Sequence, residues 1–237
     1  MDKVEQLIQW IRECDHIVFF GGAGVSTESG IPDFRSVDGL YSQKFEYPPE
    51  TIISHSFYRQ NPEYFFRFYR EKMLPLGFEP NVTHRVLARL EQEGKLSAVV
   101  TQNIDGLHQR AGSQRVYELH GSVLRNYCTL CGKFHSAEFV KEYAGVPRCS
   151  CGGIVKPDVV LYEERLDEDV IEMSVAAIAS ADLLIVAGTS LTVYPAAGLI
   201  DYYRGDRLVL INRDVTPYDS RANLVFHESL GTVFGQL

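Results

Sequence analysis

Four short polar segments interrupt an otherwise ordinary apolar sequence, and their side chains suit chemistry better than packing. They contain a glycine-rich turn, an Asp-Phe-Arg triplet, an amide next to a second carboxylate, and an imidazole. They lie at residues 21–26, 33–35, 101–105 and 118–121. Carboxylate, amide and imidazole groups orient substrates and move protons. The combination therefore predicts an enzyme.

The glycine-rich turn follows residues 17–20, an apolar run typical of a buried parallel strand. Such a turn lets the backbone approach a diphosphate and points amide N–H groups at it. A plain strand-to-helix turn would explain the glycines but not the triplet at 33–35. No acidic residue follows about twenty positions on at a second strand end, as hydride-transferring enzymes require. Hydride transfer to or from a bound dinucleotide is therefore disfavoured.

The elements that must position these segments alternate along the chain. Strands are expected at 16–20, 97–101, 183–187 and 207–211, and helices at 3–14, 83–94, 168–180 and 195–204. This alternation predicts an α/β fold: a Rossmann-like, doubly wound parallel sheet with helices on both faces. Ligands bind such a sheet at the carboxyl ends of its strands, where we expect all four polar segments.

Two segments break the alternation and are expected to be inserts. Residues 36–80 carry irregularly spaced aromatics and prolines, which indicates a small helical lobe with a loop near the cofactor. Residues 123–155 hold four of the five cysteines and form the second insert. The large domain would then comprise 1–35, 81–122 and 156–237. Both inserts are expected on one side of the sheet, forming a cleft against it.

Those four cysteines form two close pairs, Cys128 with Cys131 and Cys149 with Cys151, separated by a loop. Two such pairs are what a tetrahedral thiolate zinc site requires. Disulfides, which a reducing compartment disfavours, and unligated thiols are the alternatives. With four sulfur ligands, such a zinc site would be closed and structural. Cys14 stands alone as a small packing residue.

Composition narrows the classes of partner. The 237 residues carry a formal net charge of −8 without a basic stripe, so we expect no direct nucleic-acid binding. No apolar run reaches the roughly 20 residues that span a bilayer, and the acidic N-terminus is unlike a signal peptide. We expect a monomer in the cytoplasm that binds no membrane.

Several motifs along the chain resemble those of the sirtuins. The resemblance rests on residues 22–35, 101–108 and 119–121, the four cysteines, 188–190 with 193–195, and 211–212. It covers nearly the whole chain in the family's order. It implies an NAD-dependent protein-lysine deacylase of bacterial type, with a Rossmann-type large domain and a small zinc domain.

The resemblance also implies which residues hold NAD. Gly22, Ala23, Gly24 and Thr27 would cradle the diphosphate and the adjoining ribose, and Phe34 would cover the nicotinamide ribose. Asn103 would orient that ribose and a water molecule, while Asp105 would receive the carboxamide above Ile104. The further cofactor residues are Asp33, Arg35, Gln102, His120, Gly188, Thr189, Ser190, Asn212, Arg213 and Leu230. Ordinary turns remain the alternative for several of these, and a helix N-cap remains one for Asp105.

His120 and Asn103 are the expected catalytic residues. If the family's mechanism holds, the acyl-lysine oxygen attacks the ribose carbon that carries nicotinamide. His120 then acts as general base on the ribose hydroxyls. An imidazole suits this step because its ordinary pKa is about 6.5. A buried histidine with one satisfied hydrogen bond is the alternative.

The resemblance further implies that a substrate peptide lies as a strand between two edges of the cleft. These edges contain Val159, Val160, Leu161 and Tyr162 on one side and Val193 and Tyr194 on the other. Main-chain pairing of this kind gives affinity with little sequence selectivity. Glu163 stands where the family usually has glycine. Residues 41–55 lack the arginine of a Tyr-x-x-Arg pair, so a neutral acyl group is favoured.

The predicted function is therefore NAD-dependent protein-lysine deacetylation, in which acetyl passes from lysine to ADP-ribose and nicotinamide is released. Two alternatives remain open. One is a protein mono-ADP-ribosyltransferase that cleaves the same bond of NAD. The other is a noncatalytic NAD or ADP-ribose sensor.

Overall fold

The computed structural model describes residues 2–34 and 39–237 and contains two sheets. The strands are β1 (Ile17–Gly21), β2 (Leu96–Thr101), β3 (Val116–Glu118), β4 (Gly121–Cys128), β5 (Phe134–His135), β6 (Val155–Val159), β7 (Leu183–Ala187), β8 (Leu208–Ile211) and β9 (Leu224–Phe226). The larger sheet has six parallel strands in the order β3-β2-β1-β7-β8-β9. The smaller is antiparallel, in the order β5-β4-β6.

The order of the parallel strands fixes where a ligand can bind. From the central strand β1 the chain winds outward through β2 and β3, then crosses back to β7 and winds the other way. Between β1 and β7 the direction of winding reverses, which opens a crevice at the carboxyl ends of these two strands. The glycine turn leaves β1 at this point, and Gly188 follows β7.

Helices cover both faces of the parallel sheet. The α-helices of the described residues are α1 (Lys3–Glu13), α2 (Pro49–Ile52), α3 (His55–Gln60), α4 (Pro62–Phe68), α5 (Val82–Gln92), α6 (Leu107–Ala111), α7 (Ala137–Glu142), α8 (Glu168–Ala179) and α9 (Leu230–Phe234). One face packs on α1, α5 and α9, and the other on α8 and the 3-10 helix Ala196–Tyr202. We call the parallel sheet with these helices the sheet body.

A third hydrophobic core unites the helical lobe with the antiparallel sheet. It joins aromatic side chains of α3 and α4 to apolar residues of β4, α7 and β6. Residues 40–74 and 123–161 therefore pack as one unit, which we call the second body. In the residues that the structure describes, no helix is long and apolar enough to cross a membrane.

The four strands expected from the sequence are present, each within one residue of the predicted bounds. The expected helices at 3–14, 83–94 and 168–180 are also present as α1, α5 and α8. Residues 195–204 differ, because they form a 3-10 rather than an α-helix. Strand β9 was not expected, since its three residues are too few to show a periodic pattern.

Candidate active site

A cleft of about 750 Å³ lies between the sheet body and the second body, at the carboxyl ends of the parallel strands. Its walls include every sequence-predicted cofactor and peptide residue except Arg35, which lies outside the described residues. Residues distant in the chain, from Gly22 to Leu230, are thus brought together at one place. The winding of the parallel sheet accounts for the convergence of the residues that follow its strands.

The glycine turn is shaped by its contact with the segment after β7. The Gly24 N–H donates to the Gly188 carbonyl at 2.8 Å, and a Cβ on Gly24 would lie 2.8 Å from Gly188 Cα. A side chain at this position would push the two segments apart. The turn continues as two short 3-10 helices, Ala23–Val25 and Thr27–Ser29, and the Thr27 hydroxyl donates to the Gly24 carbonyl.

Ser26 joins the two residues predicted to meet the nicotinamide end of NAD. Its hydroxyl donates to Asp105 Oδ2 at 2.7 Å and accepts from the Asn103 side-chain amide at 3.1 Å. Asp105 Oδ1 accepts from the Leu107 N–H at 2.9 Å. The carboxylate therefore also binds the first N–H of α6, but the N-cap residue is Gly106, so the alternative of Asp105 as N-cap was wrong. Burial raises the pKa of Asp105 above its ordinary value.

One ring nitrogen of His120 is hydrogen-bonded to the backbone. Its Nδ1 donates to the Gln102 carbonyl at 2.9 Å, since a carbonyl can only accept. In the neutral ring, Nε2 then carries the lone pair and can take a proton. Burial lowers the pKa of His120 below 6.5, which keeps this ring neutral near physiological pH. This arrangement leaves Nε2 able to accept a proton.

The backbone around His120 is fastened on both sides. The His120 carbonyl accepts from the Val160 N–H at 3.0 Å, and Gly121 pairs with Val159 across β4 and β6. Gly121 adopts a positive φ, and a Cβ there would lie 1.9 Å from the Asp158 carbonyl oxygen. Only glycine fits at this junction. The backbone of His120 and the predicted peptide edge are therefore directly hydrogen-bonded to each other.

The predicted residues at the far end of the cleft form their own contacts. Thr189 Oγ1 accepts from the Gln102 side-chain amide at 3.0 Å, and the Ser190 and Thr192 hydroxyls lie 2.8 Å apart. The Asn212 side chain donates to the Asp214 carbonyl. Arg213 is exposed, and Leu230 packs on the core as the first residue of α9. The expectation of polar groups at the ends of β7 and β8 is met.

The prediction that every polar segment follows a strand was wrong for one of them. Asp33 and Phe34 follow the two 3-10 helices, with no strand before them, because the turn after β1 runs on without returning to the sheet. Phe34 is half-buried against the second body, and its ring meets that of Tyr41 edge-on at 5.6 Å. Its place beside the cleft still suits a cover for the ligand.

The two predicted peptide edges differ in structure. Val159 ends β6, and Tyr162 forms a parallel bridge with Ser54, so this edge is extended. Val193 and Tyr194 belong to no strand, and Leu191 before them has a positive φ of 56°. The second edge is therefore not extended but an irregular loop before the cis Tyr194-Pro195 bond.

The four clustered cysteines are all free thiols, and their sulfur atoms lie within 4.8 Å of one another. The distances are 3.4 Å from Cys128 to Cys151 and 3.8 Å from Cys131 to Cys149. A disulfide bond would require about 2.05 Å. Zinc–sulfur bonds of about 2.3 Å in a tetrahedron place sulfur atoms about 3.8 Å apart. The cluster therefore fits a zinc ion.

Two residues with contacts in this site, Ser26 and Arg125, were missed in the sequence. Ser26 stood inside the glycine motif but was given no role, although its hydroxyl joins Asn103 to Asp105. Arg125 binds Glu118 at 2.6 Å and Asp158 at 2.7 Å, which clamps the strands on either side of His120. A charged residue at irregular spacing gives no signal of such a contact before the fold is known.

Comparison with known proteins agrees with this geometry. Residues 22–195 match the model of the Sir2 family. A Clostridium acetobutylicum protein named NAD-dependent protein deacetylase is 59% identical over 98% of this chain and 97% of its own. A Staphylococcus aureus protein of the same name is 44% identical, with 100% and 98% covered.

Solved structures show the same similarity. A Sir2 structure with p53 peptide and NAD⁺ has a TM-score of 0.88 at 39% identity, covering 99% of this chain and 97% of that chain. Another, with deacetylated p53 peptide and 3′-O-acetyl ADP-ribose, has a TM-score of 0.91 at 38% identity with the same coverage.

The chain therefore belongs to the Sir2 family. The sequence-based predictions of a sirtuin, of its fold class and of an NAD-dependent protein deacetylase are confirmed.

Proposed function

We propose that the protein removes acetyl groups from lysine side chains of proteins, transfers them to ADP-ribose and releases nicotinamide from NAD. The observation that carries this proposal is the position of His120. Its neutral ring, bonded through Nδ1 to Gln102, stands in the same cleft as the glycine turn and the extended edge at Val159. A base, a dinucleotide site and a peptide edge meet there.

NAD binds, in this proposal, along the switch point of the parallel sheet. Gly22, Ala23, Gly24 and Thr27 surround the diphosphate on one side, and Gly188, Thr189 and Ser190 on the other. Asn212, Arg213 and Leu230 border the adenosine end. All of these line the cleft, and the contact of Gly24 with Gly188 joins the two segments into one continuous wall along which the diphosphate can lie.

The nicotinamide end lies at the cluster of Asn103, Asp105 and Ser26. The Asp105 carboxylate accepts carboxamide N–H groups, and Ile104 and Phe34 provide apolar contacts around the ring and ribose. Asp33 and Gln102 complete this part of the site, and Gln102 also fixes the His120 tautomer. Because these groups are already bonded to one another, they need little reorganisation when the ligand arrives.

His120 acts as general base through Nε2, with Asn103 orienting the reacting ribose. Since burial lowers the pKa of His120, the active neutral form persists below pH 6.5. As the pH is lowered, activity is therefore expected to fall only below the ordinary pKa of an exposed histidine.

The substrate peptide pairs with Val159, Val160, Leu161 and Tyr162, with Val193 and Tyr194 facing it across the cleft. An extended edge gives main-chain hydrogen bonds that any sequence can use. A Sir2 structure with a propionylated peptide has a TM-score of 0.88 with this chain at 38% identity. That similarity supports acetyl or another neutral acyl group as the substrate.

The four cysteines hold a structural zinc ion in this proposal. All four ligand positions are occupied by sulfur, so the metal would stabilise the second body and take no part in the reaction. The predicted domain boundaries, the monomeric state and the cytoplasmic location remain predictions, as does the absence of nucleic-acid and membrane binding.

Mass spectrometry of an acetyl-lysine peptide, incubated with the protein with and without NAD, tests the function. We expect deacetylation only with NAD, with nicotinamide and acetyl-ADP-ribose appearing in equal amounts. Nicotinamide release with ADP-ribose attached to protein, and no deacetylation, would establish the transferase instead. NAD binding with neither product, for acetylated and propionylated peptides alike, would establish a sensor.

A further inference from the structure

Glu163, at the end of the extended peptide edge, has an unusual backbone. Its φ is +77°, a region that residues other than glycine rarely adopt. Among the described residues other than glycine, only Leu191 also has a positive φ, and Leu191 is buried in the core. Such a conformation persists only where surrounding contacts hold it, and it clusters at functional sites. Because Glu163 is exposed, specific contacts must stabilise its unfavourable backbone conformation.

Those contacts come from the helical lobe. The two carboxylate oxygens of Glu163 accept from the Ser56 N–H at 2.9 Å and from the Ser56 hydroxyl at 2.8 Å. Both acceptors of one side chain are thus directed at one residue, across a sequence separation of more than a hundred positions. These hydrogen bonds lower the pKa of Glu163, so the carboxylate is ionised at neutral pH.

The rest of the segment is joined to the same part of the lobe. The Tyr162 N–H donates to the Ile53 carbonyl at 3.1 Å, and the His55 N–H donates to the Tyr162 carbonyl at 3.0 Å. Glu164 accepts from the His55 ring at 2.8 Å and from the Leu161 N–H at 2.9 Å. Glu163 is therefore the outermost of several connections between the peptide edge and the lobe.

We propose that Glu163 is a positioning residue for the substrate peptide. Its carboxylate holds residues 159–162 against the lobe in the extended form that a peptide strand requires. Holding this edge in advance removes the ordering that the peptide would otherwise have to impose on it. The inference rests on the proposed function, because it assumes that acyl-peptides bind at this edge.

The variant that tests it is Glu163→Gly, because glycine tolerates the left-handed backbone while it removes the side chain that carries the carboxylate. We expect the KM for an acetyl-lysine peptide to rise about tenfold, with kcat and the KM for NAD within about twofold of wild type. Ser56→Ala, which removes one of the two hydrogen bonds, should raise the peptide KM less. The double variant should resemble Glu163→Gly alone.

The matched control is Ser136→Ala. Ser136 caps α7, which has six residues like α3 and lies in the same body but away from the edge. Its loss should leave the peptide KM unchanged. An unchanged peptide KM in Glu163→Gly would overturn the proposal. Equal changes in the peptide KM, the NAD KM and kcat would also overturn it, because they would indicate a general loss of structure rather than a defect in peptide binding.

Amide hydrogen exchange separates this proposal from the proposed function, because it needs no turnover. In Glu163→Gly the Tyr162 and His55 amides should exchange faster, and in Ser136→Ala they should not. If the wild-type protein lacks deacetylase activity but the two variants differ in exchange as expected, the proposed function is refuted and the positioning role stands. Unchanged exchange in Glu163→Gly would refute the positioning role itself.

Discussion

The sheet body and the second body face the same cleft but are built in different ways. In the sheet body, six parallel strands lie between two cores, and the functional groups sit on short turns at the strand ends. The second body has one core, made largely of aromatic rings in edge-on contact, such as Phe65 with Phe66 and Tyr58 with Phe65. Its only sheet has three strands, one of them two residues long.

The two bodies contribute different parts of the proposed site. The groups proposed to perform the chemistry are held by the parallel sheet and its turns: His120 donates to the Gln102 carbonyl, and the Asn103 side chain donates to the Ser26 hydroxyl. The peptide edge belongs to the second body, which has little regular structure to hold it. Its order depends on specific contacts, including the four-cysteine cluster and the connections at Glu163. The second body should therefore be the easier one to disrupt.

The largest effect is expected from Cys149→Ser, which removes one ligand of the proposed zinc site. Metal binding at such sites contributes directly to folding, at apparent values of about 10–16 kcal/mol in peptides, so a loss above about 5 kcal/mol is expected. Metal content measured by atomic emission and amide exchange in β4 and β6 report it. Exchange in β1 and β7 should change less. Cys14→Ala is the control, and a stable, metal-free Cys149→Ser protein would contradict the zinc assignment.

Gly121→Ala tests the junction between the two bodies. The added Cβ would meet the Asp158 carbonyl oxygen, and alanine is strained at a positive φ of 75°. Overpacking and strain together predict a loss of about 4 kcal/mol in the free energy of unfolding. Gly132→Ala is the matched control, because Gly132 also has a positive φ but no atom within 4 Å of the added Cβ. It should lose only about 1 kcal/mol. Equal losses in urea denaturation would refute the steric argument.

The sheet body has an acid-sensitive point of its own in the buried pair His84 and His108, whose ring centroids lie 4.7 Å apart. Burial, with a smaller contribution from Arg85, lowers the pKa of His84 to about 4. Burial, and then His84, lowers the pKa of His108 well below 6.5. Between pH 6.5 and 4 the unfolded chain therefore binds more protons than the folded one. Stability should fall as the pH drops through this range.

The shift at His84 alone amounts to roughly 3 kcal/mol. Because carboxylates also titrate at low pH, the measured quantity is the difference between wild type and His84→Gln in urea unfolding at several pH values. The variant should lose less stability than wild type between pH 6.5 and 4. Parallel pH curves for the two proteins would contradict the assignment.

A smaller effect is expected from Ser26→Ala in the turn of the sheet body. It removes the hydroxyl between Asn103 and Asp105 and leaves two buried polar groups with one partner fewer, which costs about 1–2 kcal/mol. Thermal denaturation measures it, and the exposed Ser220→Ala should show almost no change. If both variants melt alike, the bridge at Ser26 contributes nothing to stability.

The two bodies also differ in how far the sequence predicts them. Strands of the sheet body, such as 183–187, are continuous apolar runs between polar turns, so their position and the ligand end of the sheet follow from pattern alone. The aromatics of 57–69 indicate a helical lobe, but not that it shares a core with the cysteine module. Shared packing depends on contacts between distant residues, which periodicity does not record.

The same limit applies within the site. Motifs identified His120, Asn103 and Asp105, because their types and neighbours suit the chemistry. The tautomer of His120, the double role of Asp105 and the hydrogen bonds from Glu163 to Ser56 depend on distances that only the fold supplies. Similarly, Val193 and Tyr194 line the cleft, but nothing in the sequence indicated that they do so in an irregular loop.

The most direct test of the account is His120→Ala, assayed for two reactions of the same protein. One is deacetylation of an acetyl-lysine peptide, and the other is exchange of labelled nicotinamide into NAD in the presence of that peptide. Because His120 is assigned to proton removal after nicotinamide departs, deacetylation should fall by about 10²–10⁴-fold while exchange stays within a few-fold of wild type. His16→Ala, an exposed histidine, should change neither. Undiminished deacetylation, or exchange lost as completely as deacetylation, would contradict the role of His120 as the base.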